Sequence, residues 1–310
     1  MYIETLTLKN YRGARSLSLN LEPKLNILAG ENGTGKSTVL DAVAILLSWA
    51  ISRIRHVGTS GRPIREDDIT NDEAFASLEL TCRHEERKIS WRLTKGRKGY
   101  GAPPESSSLD DLNEYTKAVQ ARISADSNTA TIPLFVHYSV KCLIALVSDL
   151  SRRLAIANPS GQPLQGKGIV LIDEIDLHLH PKWQRMIIPK LVEVFPNCQF
   201  IVSTHSPHVL THVQPQNIFL LNQTSNNITV EHPSESYGKN VDRILEDLME
   251  LSTTRPDVVS EGLHQIFTLI DDKRLEEART ALAKMRTAIG NDPELVKAEI
   301  LIKRKELIGK

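Results

Sequence analysis

Apolar and polar positions alternate at the start of the chain. Ile3, Leu6 and Leu8 precede the polar turn Tyr11-Arg12-Gly13, and Leu17, Leu19 and Leu21 follow it. This pattern predicts two short strands. Leu25-Asn26-Ile27-Leu28-Ala29 reads as a buried strand running into a glycine-rich loop. From Thr38 to Arg55 the period becomes helical, with Val39, Val43, Leu46, Leu47, Ala50 and Ile54 near one face. Leu78, Leu80 and Cys82 alternate again, as do Ile89, Trp91 and Leu93. Together they predict an antiparallel hairpin turning at His84-Glu85-Glu86. Residues 56–75 read as loop, and Lys95 to Ser108, rich in Gly, Pro and Ser, reads as a mobile loop.

Further along, Pro133 to Tyr138 predicts a strand and Lys141 to Ile156 a helix. Gly168 to Ile172 and Gln199 to Ser203 predict two buried strands. Between these two, Pro181 to Phe195 carries Trp183, Met186, Ile187 and Leu191 at helical spacing. Ile218 to Leu221 and Ile228 to Val230 complete the sheet. The alternation of strands and helices argues for an α/β domain with a largely parallel central sheet and an antiparallel β subdomain. After residue 238 the pattern is wholly helical. One seam runs through Val259, Leu263, Ile266, Phe267 and Ile270, another through Leu275, Ala278, Leu282, Met285 and Ile289. Asp292-Pro293-Glu294 marks a further helix start. The expected organisation is one large α/β domain over 1–250 and a C-terminal helical extension over 251–310.

Composition narrows the function less than the pattern does. Of 310 residues, 38 are Lys or Arg and 38 are Asp or Glu, so no global field draws the protein to nucleic acid. Such binding would need a local patch. The candidate is Arg87-Lys88, Arg92, Lys95 and Arg97-Lys98, interleaved with Trp91 and Tyr100. Cys82, Cys142 and Cys198 form no metal-type pair and read as reduced core thiols. The N-terminus lacks the features of a signal peptide. The apolar stretch Val39–Ile54 is interrupted by Asp41, Ser48, Ser52 and Arg53 and reads as too short and polar to span a bilayer. The expectation is a cytoplasmic protein with no membrane partner.

Chemistry is concentrated in three places. Gly30-Glu31-Asn32-Gly33-Thr34-Gly35-Lys36-Ser37 fits the phosphate-loop pattern in full, between a buried strand and a helix. Asn32, Gly33, Thr34 and Gly35 belong to a backbone that wraps phosphate oxygens. Lys36 is placed to reach the β- and γ-phosphates, Ser37 to bind Mg²⁺, and Thr38 to add a hydroxyl to the α-phosphate. Four apolar residues, Ile169 to Ile172, then carry Asp173 to a strand end, where it can hold Mg²⁺. Glu174 is the candidate base or water-positioning group. His205, in Ser203-Thr204-His205-Ser206, ends the next apolar strand and can hydrogen-bond a γ-phosphate.

The order of these three elements resembles the Walker A, Walker B and switch-histidine motifs of ABC-type P-loop ATPases. Leu8-Lys9-Asn10-Tyr11-Arg12-Gly13 looks like the opening strand of the SMC, Rad50, RecF and OLD branch, which implies that Arg12 lies near the nucleotide. Asp173 through Pro181 resembles the extended Walker B and D-loop of OLD-like ATPases, with Asp176 facing a dimer partner and His178 and His180 structural rather than metal ligands. Glu174 through Leu210, with Ser236-Tyr237-Gly238-Lys239-Asn240, Arg243-Ile244-Leu245 and Asp292 to Glu299, is similar to the PtuA-type ATPases of Septu and retron antiphage systems.

That resemblance implies ATP and Mg²⁺ as cofactors and a head-to-tail homodimer or higher oligomer. It also implies control of a separate HNH nuclease of the PtuB type, with a reverse transcriptase and its RNA–DNA product joining in retron forms. Two family features are not found. No Leu-Ser-x-Gly-Glu-type signature occurs, and Tyr138-Ser139-Val140 runs into Lys141 with no turn. A loop-free junction of this kind is hard to build. Either the protein has lost the signature and its preceding lobe, which would leave binding but put hydrolysis in question, or, the preferred reading, a segment between about residues 138 and 141 is absent from this sequence. Nor is there a Toprim pattern, so any nuclease activity belongs to a partner. The alternative functions are a RecF- or Rad50-like repair ATPase gripping DNA through the basic run, and the ATPase subunit of a transporter, against which the N-terminal opening and helical tail argue.

Overall fold

The computed structural model describes residues 1–56, 58–125, 134–139, 143–159, 161–224, 227–249 and 255–308. The N-terminal alternation forms β1 (Tyr2–Tyr11) and β2 (Ala14–Asn20), antiparallel, with Leu6 opposite Leu19 and Leu8 opposite Leu17. A register shift between Ile3 and Thr5 changes the parity of β1. Odd-numbered Ile3 and even-numbered Leu6 and Leu8 therefore all enter the core. β3 (Leu25–Ala29) leads into the glycine-rich loop and α1 (Lys36–Arg55).

β4 (Phe75–His84) turns through Glu85-Glu86 into β5 (Arg87–Gly96), pairing Leu78 with Leu93, Leu80 with Trp91 and Cys82 with Ile89. These strands complete an antiparallel sheet ordered β2-β1-β4-β5. α2 (Asp110–Ala125) is additional to the elements predicted above. Its Leu112, Tyr115, Thr116 and Val119 are buried at helical spacing.

The second sheet takes in β6 (Leu134–Ser139), which α3 (Leu143–Ala157) follows, and β7 (Gly168–Asp173), which leads to α4 (Pro181–Val194). β8 (Cys198–Thr204) is followed by the short α5 (Pro207–Leu210), then by β9 (Ile218–Gln223) and β10 (Ile228–Glu231). Its order is β10-β9-β3-β8-β7-β6, parallel apart from β10. α1 lies between the sheets, in one core with Leu8, Leu80 and Trp91 from the first and Leu28, Leu171 and Ile201 from the second. A glutamine also joins them. Gln199 accepts from Ile3 N at 2.7 Å and donates to Ile3 O and Glu22 O at 2.8 and 2.9 Å. This is the fold of an ABC-type P-loop ATPase: a largely parallel sheet, an antiparallel β subdomain and, further on, a helical extension.

Three expectations are corrected. α1 does have the length and apolar composition of a membrane span, but its apolar residues fill the core between two sheets. The stretch after β5 is pinned: Arg92 and Ser108 exchange backbone bonds at 2.8 and 3.0 Å, and Glu105 bonds Arg92 and Lys9 at 2.7 and 3.1 Å. On α4, Ile187, Ile188 and Leu191 are buried, whereas Trp183 and Met186 are 56% and 42% exposed. Gln184 takes the inward place in that first turn. It donates to Asp176 O and Leu179 O and accepts from Ser206 Oγ, bonds an indole cannot supply together. Pro133 and the junction Val140-Lys141-Cys142 lie outside the described residues.

The chain divides into two compact units, Met1–Ile244 and Leu245–Lys310, the division falling inside α6 (Val241–Leu248). The second unit holds α7 (Asp257–Asp271), α8 (Leu275–Ile289) and α9 (Pro293–Ile308) around its own core of Leu263, Ile266, Ile270, Leu282, Leu295 and Ile302. Both predicted seams face this core. A Cβ at Gly262 would come within 1.9 Å of Met285 Cε, so the methionine end packs over that glycine. Asp292 caps α9 by accepting from Glu294 N at 2.8 Å, and Arg255 holds its carboxylate at 3.0 Å.

Candidate active site

Because β3, β8 and β7 are adjacent and parallel, their C-terminal ends bring three sequence-distant segments to one edge. β3 delivers the loop Gly30–Ser37. Gly30, Gly33 and Gly35 adopt φ of 143°, 88° and 99°, backbone that side-chain-bearing residues rarely take. A Cβ at Gly30 would lie 2.4 Å from Leu221 O and one at Gly35 2.3 Å from Ile228 Cδ1. Those two glycines let the loop pack on β9 and β10. A Cβ at Gly33 would meet nothing within 4 Å, so only its left-handed backbone calls for glycine there. Thr34 Oγ1 ties the loop together by donating to Glu31 O at 2.9 Å, while Asn32 is exposed at its tip.

Lys36 opens α1 and is buried. Its Nζ donates to Gly30 O at 2.8 Å and Glu31 O at 2.6 Å. Burial holds its ammonium below the usual lysine range, against the opposing charges of Asp173 and Glu174. No side chain caps α1: its N-cap is Gly35, so the first-turn amides are left for an anion. Thr38 is half-buried in that turn.

β7 brings in the carboxylates. Ser37 Oγ lies 3.2 Å from Asp173 Oδ2 and 3.4 Å from Oδ1. A hydroxyl and a carboxylate converging beside a phosphate-sized cradle are hard oxygen donors of the kind Mg²⁺ takes. The residues thus fit both ATP and its metal. Glu174 is exposed and has φ 52°, an uncommon conformation for a residue with a side chain. Ser203 holds it there. This hydroxyl is fully buried, accepts from Glu174 N at 2.8 Å and donates to Asp173 Oδ1.

The comparisons with known proteins agree with this geometry. A family model described as "AAA domain" matches residues 5–153, and one described as "AAA domain, putative AbiEii toxin, Type IV TA system" matches residues 141–211. The "Retron Vc95 probable ATPase" of Vibrio cholerae is 55% identical over 125 residues, 40% of this chain and 24% of that protein. The "Retron Ec83 probable ATPase" of Escherichia coli is 39% identical over 184 residues, 58% of this chain and 33% of that protein. "Septu protein PtuA" of Bacillus mycoides is 24% identical over 331 residues, 83% of this chain and 46% of that protein. The chain is a relative of the retron and Septu ATPases. It spans a quarter to a half of the length of these relatives.

In this ATPase relative, the remaining residues singled out from the sequence divide into two groups. His205 is at the site: its Nε2 is 3.5 Å from Asp176 Oδ2, and its side chain is 44% exposed. Asp176 itself points inward. It is buried and accepts from Thr204 Oγ1, so its carboxylate anchors β8. Arg12 lies in the turn between β1 and β2, with φ 47°, and reaches α1 one helical turn past Ser37. It donates to Asp41 Oδ2 at 2.7 Å and Asp68 Oδ1 at 2.9 Å. It thereby grips the phosphate-loop helix through Asp41, which Arg62 also approaches at 3.3 Å. His180 accepts from Lys182 N as the cap of α4, and His178 is exposed with φ 62°.

Half of the basic run on the hairpin is neutralised by carboxylates, and Arg97 donates to Ile69 O and Thr70 O. Arg87 pairs with Glu114, Lys88 with Glu4, and Arg92 with Glu79 and Glu105, while Trp91 is buried and donates to Leu46 O. Sequence reasoning missed Ser203 as the link between the two carboxylates. The one signal for it was a small polar residue interrupting the apolar run of β8.

Proposed function

We propose that this chain binds and hydrolyses ATP as the regulatory subunit of an antiphage complex, its nucleotide state governing a separate nuclease of the HNH, PtuB type. The observation that carries the reading is the convergence of Lys36, Ser37, Asp173 and Glu174 around one open cradle at the end of a parallel sheet. Relatives named for retron and Septu systems set the biological context.

In this scheme Gly33, Gly35 and the first-turn amides of α1 hold phosphate oxygens, with Asn32, Thr34 and Thr38 completing the loop. Lys36 exchanges its two loop carbonyls for β- and γ-phosphate oxygens. Ser37 and Asp173 would hold Mg²⁺, which neutralises charge developing on the transferred phosphoryl group. Glu174 orients the attacking water and takes up its proton. His205, steadied by Asp176, reads the γ-phosphate, and Arg12 acts on the nucleotide through α1. A second copy, head-to-tail, closes the site. The PtuA alignment runs over more positions than this chain has residues in it, so that relative carries internal stretches missing here. A signature-bearing lobe near residues 138–141 would be one of them. The second unit is the candidate docking element for the nuclease, and for the reverse transcriptase with its RNA–DNA product in a retron assembly.

The test pairs two variants. Lys36→Ala should abolish ATP binding. Glu174→Gln should keep binding while hydrolysis falls by about 100-fold or more, and it should stabilise the assembly on a sizing column. Unchanged ATP affinity in Lys36→Ala would sink the site assignment. Copurification of the nuclease with the Glu174→Gln protein tests the partner.

A further inference from the structure

Between α4, the segment after α5 and the stretch leading into α6 lies a pocket of about 510 Å³. Arg185, His212, Tyr237, Gly238, Lys239 and Asn240 line it. None of these surrounds the phosphate loop. The stretch that walls it is firmly built. Ser236 is buried and donates through Oγ to Val213 O at 2.7 Å; Gly238 N donates to Thr211 O at 2.9 Å. Gly238 has φ 77°, and a Cβ there would meet nothing within 4 Å. A tight turn thus exposes its backbone to the pocket while the flanking side chains project around it.

The chemistry of the lining is one-sided. No carboxylate lines the pocket among the described residues. Among the described residues no carboxylate pairs with Arg185, whereas Lys239 pairs with Glu235 outside the lining and a ligand phosphate would compete for that ammonium. His212 engages Thr211 Oγ1 through Nδ1 at 2.8 Å, which leaves Nε2 free to meet a ligand. Neighbouring His208 is held below the usual histidine range by burial, then by the charge of Arg185. Tyr237 is 61% exposed although the residue before it is fully buried.

A guanidinium fork and an ammonium suit a phosphate. An inorganic anion alone would leave the tyrosine ring without a role. A ring face beside cations is how proteins hold one base and its phosphate. We propose that this pocket binds a nucleotide unit, with its phosphate on Arg185 and Lys239 and its base on Tyr237, independently of the phosphate loop.

The test uses the full chain with Lys36→Ala in every arm, so the ATP site is silent and its assignment cannot imitate either result. Two probes are titrated: a fluorescein-labelled twelve-nucleotide thymidine strand, by anisotropy, and AMP, by calorimetry. Binding of the strand alone identifies a polymer as the source; binding of AMP as well identifies a single nucleotide as sufficient. Both outcomes support the pocket, provided affinity falls about tenfold or more in Arg185→Ala/Lys239→Ala and several-fold in Tyr237→Ala, with Tyr237→Phe retaining it. Thermal midpoints matching the parent show that the variants are folded. Binding of neither probe, or affinity unchanged in both variants, overturns the proposal.

Discussion

Lys36 is enclosed by loop carbonyls, and burial lowers its pKa from the usual lysine value. Phosphate oxygens favour the charged form, so nucleotide binding raises that value again and takes up protons at pH above the free-state value. ATP affinity should be full below the lowered pKa and decline as pH rises through it; calorimetry in two buffers of different ionisation enthalpy reads the proton uptake. The stability sign is separate. Between the lowered folded value and the ordinary unfolded one the unfolded chain binds more protons, so this lysine's cost to folding shrinks as pH rises. Ser203→Ala removes a buried hydroxyl that serves two groups and should cost about 1–3 kcal/mol in denaturant unfolding. It should also raise the Mg²⁺ concentration needed for half-maximal ATPase activity. Lys36, Asp173 and Glu174 could be read from motif spacing alone. Ser203 could not, because its role exists only once β8 lies between β3 and β7.

At the level of elements, the glycines of the loop differ in consequence. Gly33→Ala meets strain but no neighbour, about 1–2 kcal/mol for left-handed backbone. Gly35→Ala adds a collision with Ile228 and should lower the unfolding midpoint further. Both should weaken ATP binding. Trp91→Ala empties the space between the antiparallel sheet and α1 and should cost about 3–5 kcal/mol by chemical denaturation. The hairpin carrying Trp91 was legible because one face is buried and the period is two throughout. The stretch after β5 was not: its Gly and Pro content suggests mobility, whereas its order comes from Arg92 and Lys9, both outside it. On α4, helical spacing placed Trp183 with Ile187, but the need for a donor beside two loop carbonyls gave the inward place to Gln184.

For the whole molecule, two separate cores predict separable effects. Leu282→Asp should unfold the helices of the second unit, seen as lost helical ellipticity, and leave ATP affinity unchanged. If that unit docks the nuclease, copurification should be lost as well. Burial also pushes the Cys198 thiol up to about 12 and the Cys82 thiol higher, so neither should alkylate at pH 8 before unfolding, as peptide mapping would show. Gln199 has a consequence for synthesis. Its amide supplies bonds to the peptide of Ile3 and to Glu22 across 196 and 177 residues of chain. The first strand therefore waits for these bonds until residue 199 has been made, on the order of ten to forty seconds after it at ordinary elongation rates. During that interval the first strand is open to a chaperone, and a chain cut short before Gln199 must join its two sheets through the apolar core around α1 alone, without these polar bonds.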